Sequence, residues 1–126
     1  MKKATIKVGV MPESQFRQRT LAIARGEYKP RKDEPIIWFA SYRALAEALS
    51  EKNLELLRVV ATRQPASISE LAEWLGRKPG NVHRSLQTLA NLGLLTLEIT
   101  AGRAVRPVAQ YASVKIEGEV SIASVP

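Results

Sequence analysis

Apolar and polar positions alternate with two different periods along this chain, and the switches between them mark its elements. From Ala4 to Val10 the apolar residues Ala4, Ile6, Val8 and Val10 are separated by Thr5, Lys7 and Gly9, the period-two pattern of a half-buried strand. Pro12 suits the first turn of a helix, and Phe16, Thr20, Ile23 and Ala24 mark an inward stripe that ends near Gly26. Glu27 to Pro35 combines two prolines with a dense run of charges and reads as an exposed connection and candidate hinge. The apolar run Ile36 to Phe39 is short and bounded by turn signals, as a buried strand is. Ser41 then caps a helix to about Leu49 with Tyr42, Leu45, Ala46 and Leu49 on one side. Another helix starts near Asn53, turns Leu54, Leu57, Val60 and Ala61 inward, and ends at Gln64-Pro65.

The stretch Ser67 to Leu92 predicts two short helices joined by a sharp turn. In the first, Ile68, Leu71, Ala72 and Leu75 share a side, and Ser67 with Glu70 forms an S-x-x-E capping box. Gly76 closes it, because glycine tolerates the left-handed conformation that ends a helix, and Pro79 has the fixed φ that opens the next. In the second helix Val82, Leu86, Leu89 and Ala90 form one stripe, while Gly80, Asn81, Arg84, Gln87, Thr88 and Asn91 face away. Gly93 ends that helix. Leu94 to Ile99 and Arg103 to Val108 then form a hairpin through Ala101-Gly102, with Arg103 at the tip, Arg106 close by and Pro107 at an edge position. Finally Val114, Ile116, Gly118 and Val120 alternate with polar residues. This tail strand has the character of the first strand and is expected to pair with it, in the same chain or in a partner's.

Composition narrows the chemistry. The chain carries 19 Lys and Arg against 12 Asp and Glu, a net charge of +7, which favours an anionic partner, nucleic acid first. No apolar run approaches the ~20 residues of a membrane helix, so no membrane role is expected. The N-terminal MKKATIKVGV has two lysines but no cleavage site and reads as a strand, which leads to a cytoplasmic expectation. There is no cysteine, one histidine and a single aspartate, Asp33. No nucleophile and base pair, cofactor site or ordinary metal site can be named from that set, so an enzyme is not expected.

The order helix, helix, helix, hairpin from Asn53 to Val108 is that of a winged helix-turn-helix. The stretch LELLRVVATRQPASISELAEWLGRKPGNVHRSLQTLANLGLL resembles a family of predicted archaeal and bacterial transcriptional regulators related to the MarR-like winged-helix proteins. The resemblance rests on Ser67, Ile68, Glu70, Leu71 and Ala72, then Arg77, Asn81, Val82, His83 and Arg84, then Leu89, Leu92, Gly93 and Leu94. Asn81-Val82-His83-Arg84 is the discriminating part. The chain departs from the pattern at Lys78-Pro79 and at Ser85, where an aspartate is usual. Some members of that family are similar to antitoxins encoded beside TumE-type toxins, so the resemblance implies a cognate toxin as a further partner.

The expected fold is therefore α+β: a winged helix-turn-helix over 41–110, an N-terminal strand-helix-strand over 1–40 that serves dimerisation, and a C-terminal strand and tail over 111–126. The expected function is a sequence-specific regulator of transcription, an autoregulating repressor that acts as a homodimer on double-stranded DNA; the alternative is an antitoxin that neutralises a cognate toxin by protein-protein binding while repressing its own operon. The candidate DNA-binding residues are Arg77, Lys78, Gly80, Asn81, His83, Arg84, Gln87, Thr88 and Arg103. Arg, Asn and Gln can each make paired hydrogen bonds to base edges, and a cation beside a helix N-terminus suits a phosphate. Arg84 reads a base, touches phosphate, or is simply solvated. Asn81 pairs with adenine or bonds its own backbone. Arg77 and Lys78 anchor phosphate, and Arg103 enters a minor groove or is an ordinary turn charge. His83 flanks the apolar stripe and is expected partly buried, nearer the core than the groove, with a DNA contact as the alternative. Arg17, Arg19 and Arg25 with Lys29, Arg31 and Lys32 form a second basic cluster, while Trp38, Phe39 and Trp74 are expected in packing.

Overall fold

The computed structural model describes residues 4–120 and 122–123. The chain is α+β, as the two periodicities require. It runs β1 (Thr5–Val10), α1 (Glu13–Ala24), β2 (Ile37–Phe39), α2 (Tyr42–Ala48), α3 (Glu51–Arg63), α4 (Ile68–Leu75), α5 (Pro79–Asn91), β3 (Leu95–Ile99), β4 (Val105–Ala109) and β5 (Ser113–Glu117). Two compact units divide it: Ala46–Ser113 with Ala4 and Thr5, and Ile6–Leu45 with the described residues from Val114 on.

The first unit holds α3, α4, α5 and the β3–β4 hairpin. Local rules fix its helix ends. Ser50 accepts from the Asn53 N–H at 3.2 Å to start α3, and Ser67 accepts from the Glu70 N–H at 3.0 Å to start α4. The Glu70 carboxylate reaches back to the Ala66 N–H at 2.9 Å, one residue before the cap, so the capping box is closed with a displaced partner. Gly76 ends α4 at φ 64, the left-handed region where a side chain is disfavoured. The apolar stripes then meet. Leu56 and Val60 of α3, Ile68, Leu71 and Ala72 of α4, Val82, Leu86 and Leu89 of α5, and Leu94 and Leu95 are all buried. Leu54, Leu57 and Ala61, expected inward on α3, are only half-buried, because the apolar positions of that helix form two overlapping stripes and the one through Leu56 and Val60 won the core.

The hairpin is antiparallel, with Leu95 opposite Ala109 and Ile99 opposite Val105. The Thr100 N–H donates to the Ala104 carbonyl at 2.8 Å. Counting back from that bonded pair, Pro107 opposite Leu97 falls at a non-bonded site, where a residue without an N–H costs the ladder nothing. Pro107 is nevertheless fully buried.

The second unit is a small sheet of order β2-β1-β5. β1 and β2 are parallel, Val8 opposite Ile37 and Val10 opposite Phe39, which demands a crossover such as α1 and its following loop. β5 lies on the other side of β1, so the expected pairing of first and last strands is made within one chain. Ile6, Val8 and Phe39 are buried, but Ile36 is 73% exposed and lies outside the strand predicted to include it. The inward stripe of α1 is also corrected. No residue of α1 is buried, Phe16 and Thr20 are exposed, and the half-buried positions are Arg19, Ala22 and Ile23.

Arg19 explains much of that shift. Its guanidinium lies 5.5 Å from the Trp38 ring centre and 5.8 Å from that of Tyr28, and it pairs with the Glu34 carboxylate at 3.1 Å. The Tyr28 hydroxyl donates to the same carboxylate, at 2.9 Å to Oε1. That bond, helped by Arg19 and the Arg31 N–H against a desolvation cost, holds the Glu34 carboxyl below its ordinary range; it also pushes the Tyr28 phenol up, as does partial burial. Lys7 donates to the Asp33 carbonyl, and Pro35 is buried. The loop from Glu27 to Pro35 is thus tied down at Tyr28 and at Glu34-Pro35, while Glu27 and residues 29–33 are exposed as its charges predicted. Among the described residues no helix is long and apolar enough to cross a membrane.

Candidate nucleic-acid interface

Helix α5 begins on a proline. Pro79 contributes no N–H, and the N-cap residue Lys78 makes no side-chain hydrogen bond to the first turn, which also holds no acidic residue. The partial positive charge of that helix end is therefore neither capped nor neutralised by its own side chains. Lys78 is exposed beside it.

Burial of Val82, Leu86 and Leu89 fixes the rotation of α5, and with it the outward face. Gly80, Asn81, Arg84, Gln87, Thr88 and Asn91 are all exposed, as their spacing predicted. Side-chain pairs one turn apart order this face. Arg84 Nη1 donates to Asn81 Oδ1 at 3.4 Å, Gln87 Nε2 donates to Asn91 Oδ1 at 3.1 Å, and the Thr88 hydroxyl donates to the Arg84 carbonyl at 3.1 Å. The Arg84 and Gln87 bonds are exposed and leave donors and acceptors over. Gly80 has no conformational reason of its own: a Cβ there meets nothing within 4 Å.

Two candidates sit differently from expectation. His83 is exposed rather than nearer the core, because it lies one position outside the stripe set by Val82 and Leu86. It lines a groove of about 480 Å³ between α5 and the hairpin, together with Gln87, Leu95, Leu97 and Val105. Arg77 is half-buried, and its Nη1 is buried without a hydrogen-bond partner among the described residues. Its backbone N–H closes α4 on the Ala72 carbonyl at 3.0 Å. It is less free to anchor a phosphate than Lys78.

At the hairpin tip the Arg103 N–H donates to the Thr100 carbonyl at 2.9 Å, closing a turn over Ala101 and Gly102. Arg103 itself stands at φ 69, the left-handed position of such a three-residue loop, where glycine is usual. The neighbouring Arg106 is occupied by Glu98 at 2.6 Å. Ile99, which the sequence reading left without a functional role, is 79% exposed near the tip. Its phase in β3 is inward like that of Leu95, but the strand outruns the core. Nothing in the local pattern singles out Arg63. Its guanidinium stacks 4.0 Å from the Trp74 ring centre, tying the end of α3 to α4.

Comparison with known proteins bears on this unit. The HVO_A0114 family profile matches residues 48–116, more than half of the chain. The chain belongs to the HVO_A0114 family. No curated protein and no solved structure matches it. The part shared with HVO_A0114 proteins starts at the end of α2 and reaches into β5, so it contains every candidate residue from Arg77 to Arg103. β1, α1 and β2 lie outside it.

Proposed function

We propose that this HVO_A0114 protein is a sequence-specific double-stranded DNA-binding regulator built on a winged helix-turn-helix, with α4 and α5 as the helix pair and the β3–β4 hairpin as the wing. The observation that carries the reading is the exposed face of α5. It presents Asn81, Arg84, Gln87 and Thr88, groups that pair with base edges, on a helix whose N-terminus is open to a phosphate beside Lys78.

Two local costs support it. Gly80, in the first turn of α5, is less favourable than alanine by up to about 0.5–1 kcal/mol, and nothing inside the chain requires its lack of a side chain. Arg103 holds a left-handed conformation that costs a side chain about 1–2 kcal/mol. Both positions are solvent-facing, so packing repays neither. A phosphate backbone approaching α5 and a groove admitting the wing tip account for both. The net charge of +7 agrees in sign.

As an autoregulating repressor the protein binds DNA upstream of its own gene. A gel-shift series on that DNA, repeated at several salt concentrations, is expected to show a specific shift whose log affinity falls by about 0.9 per log unit of salt for each phosphate neutralised. Arg84→Ala is expected to lose ~1–3 kcal/mol of discrimination between operator and scrambled sites if Arg84 reads a base. No shift at low salt on any fragment sinks the proposal.

A further inference from the structure

β5 is an edge. In the order β2-β1-β5 its inner side pairs with β1, and among the described residues no strand pairs with its outer side. An outer strand of this kind presents free backbone donors and acceptors, and proteins ordinarily blunt it with short length, charged side chains, proline, a bulge or a cover. β5 is short and charged, but no proline interrupts Ser113–Glu117, and between its charges the edge also carries exposed apolar groups: Ile116 is 54% exposed and Val120 just beyond it 64%. The flanking charges have opposite sign, Lys115 before Ile116 and Glu117 after it.

That arrangement is self-complementary. When two copies of β5 pair antiparallel about a two-fold axis, the pleat makes directly opposed residues share a face, so the axis passes through one residue and its own copy. Centring on Lys115 sets lysine against lysine, and centring on Glu117 sets glutamate against glutamate. Centring on Ile116 sets Lys115 against Glu117 twice, Val114 against Gly118, and Ile116 against itself. Glu117 is already held on one side by Lys7 at 3.3 Å and stays 51% exposed, which places it ready for a second cation.

We infer that the partner for the β5 edge is a second copy of this chain, paired antiparallel with Ile116 on the two-fold axis, so that two three-stranded sheets join into one of six strands. The inference goes beyond DNA binding and does not rest on it, since both the pairing and its readout concern protein alone.

The test uses the full chain without DNA. Sedimentation over a range of concentrations is expected to show a reversible dimer. Lys115→Glu and Glu117→Lys each set like charges across the axis twice and are expected to raise the dissociation constant roughly tenfold or more. An equimolar mixture of the two variants restores both opposite-charge pairs and is expected to dimerise again, which misfolded chains would not do. Because the chain has no cysteine, Ile116→Cys adds a single thiol. Exposed to dissolved oxygen, it is expected to give a disulfide-linked dimer, whereas Val114→Cys, four residues out of register with its own copy, is expected to remain unlinked. A monomer at every concentration, linking at Val114→Cys as readily as at Ile116→Cys, or a variant mixture no more dimeric than its components overturns the inference.

Discussion

At the scale of single residues, Gly80 and Arg103 are the informative positions because each departs from what its own backbone prefers. Gly80 stands in a helix where nothing crowds a Cβ, and Arg103 takes the left-handed conformation while Gly102 beside it does not. Exchanging the departures for the local optimum separates stability from function. Gly80→Ala and Arg103→Gly are each expected to raise unfolding stability, by up to about 0.5–1 kcal/mol, in chemical denaturation. Each is also expected to weaken the gel shift, the first by crowding a phosphate and the second by removing a cation. A variant that gains stability and binds DNA as before removes its residue from the interface. Both residues were legible as candidates in the sequence, but their costs were not, since φ and the space around a Cβ are set by the folded chain.

At the scale of elements, the ends of α4 and α5 follow from rules that act within a few residues, and the sequence reading found them through Ser67, Glu70, Gly76 and Pro79. The sheet of the second unit depends on distant partners. Gly9 shows this best. In the sequence it is only a small residue between Val8 and Val10, yet a Cβ there lies 2.8 Å from Trp38 Cζ3 and 2.9 Å from Pro35 Cγ. Trp38 and Pro35 come from the far side of the α1 crossover, and no local periodicity announces them. Gly9→Ala is expected to destabilise the chain by about 1–3 kcal/mol, through overpacking against a ring already sandwiched with Arg19, as read by denaturant midpoint. An unchanged midpoint rejects the close approach. The same non-locality sets the rotation of α1. Phe16 and Thr20 have helical spacing, but the half-buried face is the one that brings Arg19 to Glu34, Tyr28 and Trp38. Parallel pairing of β1 with β2 was likewise invisible to a period-two pattern, which reports that a residue is inward without saying beside whom.

For the molecule as a whole, charge and acidity set the working range. The carboxyl of Glu34 is held below its ordinary value near 4.5 chiefly by the Tyr28 hydroxyl. A carboxyl depressed in the folded state adds stability above its unfolded value, and that contribution disappears as pH falls through the folded value. The Tyr28 phenol is raised above its ordinary value of 10.0 by the same bond, so its contribution is complete below 10.0 and disappears as pH rises through the folded value. Melting temperature is therefore expected to fall on the acid side below about pH 4.5 and again on the alkaline side above pH 10. Glu34→Gln is expected to lower stability at neutral pH while flattening the acid limb, and an acid limb as steep as that of the parent assigns it to other carboxylates.

The division of the chain between its two units has a consequence for the order of assembly. α3, α4, α5 and the hairpin follow one another without interruption, so the contacts of the proposed DNA-binding unit span short lengths of chain. The sheet that carries β5 brings together strands separated by almost the whole described chain, as the contact between Thr5 and Ser113, 108 residues apart, makes plain. Closing so long a loop is entropically expensive before any pairing rewards it, and such contacts slow folding. The segment proposed to face DNA has the topology to form first. The edge proposed to meet a second copy exists only after the long loop between β1 and β5 has closed, so pairing through it is expected to follow that closure.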